Sequence, residues 1–253
     1  MNIDASSISL KNILILSSRE MSGKLTPILK TKFPKLNFVS AVFADDLKVF
    51  EPVFLKQTRL LSFLSNQIVP IDILNQLGFG AINLHPGTPR YPGWQAWQFA
   101  LYDGVDDFGI TAHWMEEKVD TGKIIALHNY SVRHVRSEQE MAKLTINMAL
   151  NFLYSWSSQF FSPAPLEALD IQWSAHKTTK STYRQKCAIT IDITNEELTK
   201  IVRAFGNGDG LTKPNITMDG ICYELLNGQN VSLDRPFIKL HHYLFAQKQA
   251  GVS

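Results

Sequence analysis

Asn12-Ile13-Leu14-Ile15-Leu16-Ser17-Ser18 is the stretch on which the fold turns. Four aliphatic residues in a row, Ile13 to Leu16, show no polar alternation. Successive side chains of a strand face opposite sides, so a half-exposed strand would alternate. An unbroken run fits a parallel strand buried on both faces, and Ser17-Ser18 feeds a loop behind it. Leu25 to Phe33 has helical texture, and Pro34 stops it. Phe38-Val39-Ser40-Ala41-Val42-Phe43 and Arg59-Leu60-Leu61-Ser62-Phe63-Leu64-Ser65 read as two more strands. Pro70 fits the first turn of a helix running through Leu77, closed by Gly78 and Gly80. Ala81-Ile82-Asn83-Leu84-His85 is a fourth strand, broken by Pro86-Gly87.

Strands alternating with helices at this spacing predict an α/β fold: a Rossmann-like, mostly parallel sheet with helices on both faces. Ligands of such sheets bind beyond the carboxyl ends of the strands. Ser17-Ser18, Ser65-Asn66 and Asn83 to Gly87 fall at that edge. Further on, Trp94 to Tyr102 reads as helix. Phe108 to Met115 and Ile124 to Tyr130 read as strands joined by Glu116 to Lys123. Ser137 to Phe160 is a long helix whose stripe of Met141, Leu144, Met148 and Phe152 is core packing.

After Pro165 the texture changes. A polar, basic run spans Lys177 to Lys186. Ile189 to Ile193 reads as a strand, Glu196 to Phe205 as a helix and Gly206 to Gly210 as a loop. Ile221 to Leu225 and Asn230 to Leu233 fit a hairpin around Asn227-Gly228. The expected division is 1–178 for the main domain and 179–253 for a small C-terminal β-rich lobe.

A chain of 253 residues allows one large domain or one plus an appendage, at roughly 100–200 residues per domain. Apolar residues at 45% and charged residues at 19% exclude a disordered chain. The net charge of +2 gives no bulk electrostatic case for nucleic acid. Two cysteines, Cys187 and Cys222, without a CxxC argue against a disulfide scaffold and a structural zinc site, and no metal is expected. Met1 to Ser9 lacks the features of a secretion signal, and no apolar stretch reaches the ~18 residues of a membrane span. The expected compartment is the cytoplasm, with no membrane partner.

Asn83 and His85 are i and i+2 on one strand, so an amide and an imidazole point together into a Pro/Gly-rich loop. That pair can bind an oxyanion and move a proton, although a histidine at a strand end is more often a structural residue. Gly109-Ile110-Thr111-Ala112-His113 is followed by Asp120-Thr121-Gly122. An Asp in such a turn commonly caps its own backbone. Asp-Thr-Gly also occurs in aspartic proteases, but that chemistry needs two carboxylates sharing a proton, and no second such triplet exists here.

Taken together, these pieces resemble the formyltransferases that use 10-formyltetrahydrofolate. The resemblance lies in Ile82-Asn83-Leu84-His85-Pro86, Tyr91-Pro92-Gly93, Gly109-x-Thr111-x-His113 and Val119-Asp120-x-Gly122, with Gln67 to Leu74 upstream. It covers roughly residues 12–210. It implies a catalytic trio of Asn83, His85 and Asp120. An amine attacks the formyl carbon, Asn83 and His85 stabilise the oxyanion, and an ionised Asp120 orients His85 and favours its imidazolium. It further implies that the cosubstrate 10-formyltetrahydrofolate is held by the backbone of Gln67, Ile68 and Val69 and by the loop Met115, Glu116, Glu117, Lys118 and Val119. Gln67 stands where some relatives carry Arg. The loop Pro86-Gly87-Thr88-Pro89 is one residue shorter than the family's usual Pro-Ser-Leu-Leu-Pro.

The family's branches differ in the acceptor. Ser17 to Gly23 holds a single Gly, a poor phosphate cradle for the branch that formylates glycinamide ribonucleotide. Methionyl-tRNA formyltransferases resemble the chain through Ile201-Val202-Arg203-Ala204-Phe205 and then add a basic barrel. The sequence after Gly210 is expected to be too short for that barrel. The length resembles nucleotide-sugar N-formyltransferases. That branch implies a nucleotide-linked amino sugar as substrate, a homodimer, no nucleic-acid partner and a place in lipopolysaccharide O-antigen biosynthesis. Formylation of another small amine, or a folate-binding or deformylating relative, is the alternative. The basic run 177–186 is a solvated linker or a contact for a pyrophosphate. Trp94, Trp97, Tyr102 and Trp173 are candidates to stack on a base or sugar.

Overall fold

All five residues of β1 (Asn12–Leu16) are buried. Their alternation sorts them: Ile13 and Ile15 join one apolar cluster, Leu14 and Leu16 another. One strand feeding two clusters means that both faces of its sheet are covered, as the unbroken aliphatic run predicts. The computed structural model describes residues 8–207, 211–226 and 237–248.

The sheet has six strands in the order β2-β1-β3-β4-β5-β6. The others are β2 (Asn37–Ala41), β3 (Thr58–Phe63), β4 (Ala81–His85), β5 (Asp107–Trp114) and β6 (Ile124–Ser131). β1 pairs in parallel with β2 and β3, and β3 in parallel with β4. β5 runs antiparallel to β4. Contacts group the chain into two compact units with interleaved segments. The first is drawn from Met1–Pro92, Gly109–Tyr130 and Thr145–Ala175, the second from Gly93–Phe108, Ser131–Leu144 and His176–Ser253. The 1–178 and 179–253 division stands as a proposal about domains.

In the first unit, one sheet face packs on Leu25 and Leu29 of α1 (Arg19–Lys32) and on Ala149, Phe152 and Phe160 of α5 (Glu138–Phe160). The other face packs on Leu47 of a 3₁₀ turn (Ala44–Val49), Leu55 of α2 (Pro52–Leu55) and Ile73 of α3 (Ile71–Leu74). α1 starts six residues before the expected Leu25, because the Ser18 hydroxyl accepts the Met21 N–H at 3.2 Å and caps it. The expected helix to Leu77 is one turn only, Ile71–Leu74, and tight turns carry the chain to Gly80. Arg59 of β3 is buried at 3% exposure. Its guanidinium donates to the carbonyls of Phe79 (2.8 Å), Phe160 (2.7 Å) and Ser162 (2.7 Å), closing the C-terminal end of α5. Burial pushes its pKa down to about 10.

The second unit contains α4 (Ala96–Asp103), α6 (Lys180–Cys187) and α7 (Asn195–Phe205). They meet edge-to-face through Phe99, Tyr183 and Phe205, with ring centroids 5.4 Å apart for Phe99–Phe205 and 5.0 Å for Tyr183–Phe205. It also carries an antiparallel sheet, β7-β8-β10-β9, built from β7 (Asn215–Met218), β8 (Ile221–Leu225), β9 (Phe237–Leu240) and β10 (Tyr243–Gln247). This is the expected β-rich lobe. Ile189 to Ile193 is not a strand: Ala188 before it bridges Asn215, the Ile189 N–H donates to the Asn215 carbonyl at 2.9 Å, and the chain then turns, Ile193 N–H to the Thr190 carbonyl at 3.3 Å. Asp192 bonds the Thr190 side chain and its own backbone, a local pattern that competes with a ladder. Within the basic run, α6 forms because Thr179 accepts the Thr182 N–H and caps it. The expected turn at Asn227-Gly228 and part of the loop Gly206 to Gly210 lie outside the described residues. No helix among the described residues is long and apolar enough to cross a membrane.

Candidate active site

The antiparallel register of β4 and β5 sets the site. Asn83 lies opposite His113, and His85 opposite Thr111. Directly opposed side chains sit about 4.5–5.5 Å apart at Cβ, within hydrogen-bonding reach. The Asn83 amide nitrogen is 3.1 Å from His113 Nε2. Thr111 donates to the Gly87 carbonyl at 2.7 Å and pins the loop that leaves His85. The spacing Asn-x-His on one strand and Thr-x-His on the next is therefore a single constellation.

Asp120 reaches the site from the loop after β5. It sits in the left-handed region, φ 48°, and is buried at 4% exposure. Its Oδ2 lies 3.4 Å from His85 Nδ1, and its Oδ1 lies 3.2 Å from His113 Nε2. One carboxylate thus faces two buried imidazoles. The turn is held in place from several sides. A Cβ on Gly122 would fall 1.8 Å from the Trp114 carbonyl, so only glycine permits this approach. Trp173 donates its indole N–H to the Gly122 carbonyl at 2.8 Å. The Trp173 ring meets His85 and His113 edge-to-face, with centroids at 5.6 and 5.0 Å.

Hydrogen-bond logic fixes the outer protons. His85 Nε2 faces the Tyr91 carbonyl at 2.9 Å, and His113 Nδ1 faces the Trp114 carbonyl at 2.8 Å. A carbonyl only accepts, so both of those nitrogens carry hydrogen. The inner nitrogens face the carboxylate, which also only accepts when ionised. A protonated inner nitrogen donates to Asp120. With its lone pair bare, His113 Nε2 accepts from Asn83 instead. Moving one proton exchanges these two arrangements, so the geometry is compatible with proton transfer. Among the described residues no group of three His, Cys, Asp or Glu could hold a metal ion.

The loops expected to hold a pterin are rooted in one apolar cluster. Val69 is buried in it, and Met115 packs against it. Ile68 and Val119 remain exposed, at 66% and 43%. Glu116, Glu117 and Lys118 are exposed beside Val119. Gln67 is committed elsewhere: its side chain accepts the Ala44 N–H at 3.1 Å, and its own N–H goes to the Ser65 hydroxyl at 3.2 Å.

His113 belonged to the quoted motif but not to the expected trio; the cross-strand register that places it is a tertiary fact. Trp173, a candidate to stack on a base or sugar, has its ring edge-to-face with the two imidazoles. No local signal ties it to His85, 88 residues earlier in the chain.

Residues 62–154 match the family model described as Formyl transferase. This stretch contains Asn83, His85, His113 and Asp120. A methionyl-tRNA formyltransferase of Syntrophomonas wolfei is 38% identical over 88 residues, covering 34% of this chain and 28% of that protein. The chain spans well under half the length of the curated relatives it matches, 28% to 39% among them. In fold, the chain is similar to a sugar N-formyltransferase from a Shewanella species, with TM-score 0.71, 17% identity, and coverage of 88% of this chain and 100% of the other. It is also similar to an N-formyltransferase from Helicobacter canadensis solved with folinic acid and dTDP-3-aminofucose, with TM-score 0.57, 12% identity, and coverage of 94% and 99%.

Proposed function

We propose that this chain, whose residues 62–154 match the formyl transferase family, moves a formyl group from 10-formyltetrahydrofolate to the amine of a nucleotide-linked amino sugar. The observation that carries the reading is Asp120 between His85 and His113, with Asn83 beside His113. The folate supplies an activated formyl carbonyl. Asn83, half-buried, offers its amide N–H to the oxygen on which charge grows, a contribution that typically amounts to about 2.7–4 kcal/mol per donor. His85 offers the Nε2 proton that the Tyr91 carbonyl otherwise holds. Asp120 takes the proton that the amine loses, directly or through either imidazole, and that proton passes to the tetrahydrofolate nitrogen as its bond to the formyl carbon breaks. The loops fit a flat pterin: Ile68 and Val119 present apolar surface, and Val69 and Met115 root them in the core. Backbone groups there give the amide-like edge its partners.

The amino-sugar acceptor is supported by what the Shewanella and Helicobacter canadensis proteins are described as acting on or binding. The low net charge of +2 points the same way. Homodimerisation and a cytoplasmic place in O-antigen synthesis are part of the proposal. The curated relatives favour a second reading, formylation of methionyl-tRNA. One mass-spectrometric screen separates the two. The protein is offered 10-formyltetrahydrofolate with a panel of nucleotide-linked amino sugars, with methionyl-tRNA and with no amine. Formamido-sugar product supports the proposal; formyl-methionyl-tRNA alone overturns its acceptor, and formate release without amine identifies a deformylase.

A further inference from the structure

After α5 the chain runs through residues 161–175 without helix or strand. It is an exposed strap: between Pro163 and Gln172 only Leu166 is half-buried, and it packs against the core. Trp173 breaks that pattern. Its ring belongs to neither apolar cluster of the sheet; it lies edge-to-face on His85 and His113, with centroids at 5.6 and 5.0 Å. We propose that Trp173 is a gate against water, which keeps the His85–His113–Asp120 cluster from hydrolysing the formyl folate and so selects an amine over water as the acceptor.

The chemistry sets the problem. A base that takes the proton of an attacking amine can also take the proton of an attacking water. Hydrolysis needs no further reactant. The water oxygen bonds to the formyl carbon, and the bond from that carbon to the tetrahydrofolate nitrogen breaks. One water proton passes to that nitrogen; the other goes to solvent as formate leaves. Amine and water therefore compete for one carbonyl, and a site selects between them by keeping water out.

Burial and anchoring show how this site does so. His85, His113 and Asp120 are 4%, 2% and 4% exposed, whereas Asn83 is half-buried. The opening is therefore on the Asn83 side, where carbonyl and amine meet. Trp173 sets one apolar ring on both imidazoles, where a small side chain would leave room for solvent. Three hydrogen bonds tie its strap to the catalytic loops. The indole N–H donates to the Gly122 carbonyl at 2.8 Å, two residues after Asp120. Ser174 N–H donates to the Pro89 carbonyl at 2.8 Å, four residues after His85. Leu169 N–H donates to the Ile124 carbonyl at 2.7 Å, where β6 begins. The strap thus spans from the loop after His85 to the loop after Asp120 and carries its one large ring to the imidazoles.

The proposal rests on the formyl-transfer reading of the site, and the assay keeps the two apart because hydrolysis needs no acceptor. Wild type, Trp173→Phe, Trp173→Leu and Trp173→Ala are given 10-formyltetrahydrofolate. Formate is measured without amine, and formamido product with nucleotide-linked amino sugars; melting curves and folinic acid affinity are taken for each protein. In Trp173→Ala the expected formate release is about tenfold or more above wild type while transfer falls. Trp173→Leu lies between, Trp173→Phe stays close to wild type, and folinic acid affinity is unchanged. Loss of positioning alone slows transfer and hydrolysis together; loss of the gate moves them in opposite directions. Wild-type formate release from folded Trp173→Ala overturns the gate and leaves the transfer reading standing. If that variant does not fold, the same result in Trp173→Leu overturns it. Wild type releasing formate as fast as Trp173→Ala also overturns the gate. Formate release governed by residue 173, with no product from any amino sugar, sustains the gate and overturns the acceptor reading. Neither formate nor formamido product from any of the proteins overturns both.

Discussion

His113 Nε2 lies 3.2 Å from Asp120 Oδ1, while its Nδ1 donates to the Trp114 carbonyl at 2.8 Å. The residue that the motif places last on β5 therefore stands between the carboxylate and Asn83. Its Nε2 can donate to the carboxylate or accept from the Asn83 amide, and it fixes where both point.

His113→Gln keeps a partner for Asn83 and removes the imidazole that faces Asp120. We expect kcat to fall about 10²-fold with little change in folate affinity. The pH–rate profile should lose or shift one limb. Steady-state kinetics across pH check this; an unchanged profile assigns His113 to structure alone.

Trp173 is expected to act as a positioning residue. Trp173→Phe keeps a ring against both imidazoles and removes the N–H that holds the Gly122 carbonyl. The expected loss is about 0.5–1.5 kcal/mol, seen as a drop of a few degrees in Tm, with kcat nearly intact. Trp173→Ala frees both imidazoles. Its kcat should fall at least about tenfold and its pH profile should broaden, whereas a purely structural tryptophan lowers Tm in both variants and moves no pH profile.

The α/β fold was legible because β1 and β3 carry runs that only a sheet covered on both faces can bury. Asn83, His85 and Asp120 were legible as candidates from residue type and spacing. The joining of Asn83 to His113 was not, because register appears only when β5 reverses direction against β4. Short helices escaped for another reason. α6 and the start of α1 depend on hydroxyl caps at Thr179 and Ser18, not on apolar periodicity. Ile189 to Ile193 misled because strand propensity lost to the local bonds of Asp192.

Arg59 closes one end of α5 from inside the sheet. Arg59→Leu leaves the carbonyls of Phe79, Phe160 and Ser162 without their donor. Unsatisfied buried acceptors cost about 1–3 kcal/mol each. At about 2–4 °C per kcal/mol for chains of this size, Tm should drop by roughly 6 °C or more. Calorimetry reads it directly; a change within a degree contradicts the capping role.

Burial pushes the Cys187 thiol up to about 12 from an ordinary value of 9.0. The folded chain therefore holds this proton more tightly than the unfolded chain. The stability it adds is complete below about pH 9 and is lost as pH rises from there through about 12. At pH 8 a thiol reagent should modify half-buried Cys222 quickly and Cys187 only on unfolding. Two thiols reacting at equal rates in native protein would refute this.

Asp120→Asn is the most direct test of the central claim, that a carboxylate between two imidazoles carries the proton of formyl transfer. The substitution keeps shape and removes charge. The measurement is the single-turnover rate at saturating 10-formyltetrahydrofolate and acceptor, taken beside Tm and folate affinity on the same preparation. The account predicts a rate lowered by about 10²-fold or more, with Tm and folate affinity close to wild type. The contradicting result is a lower Tm and weaker folate binding with a near-normal saturated rate, which would make Asp120 a turn residue and the trio a misassignment.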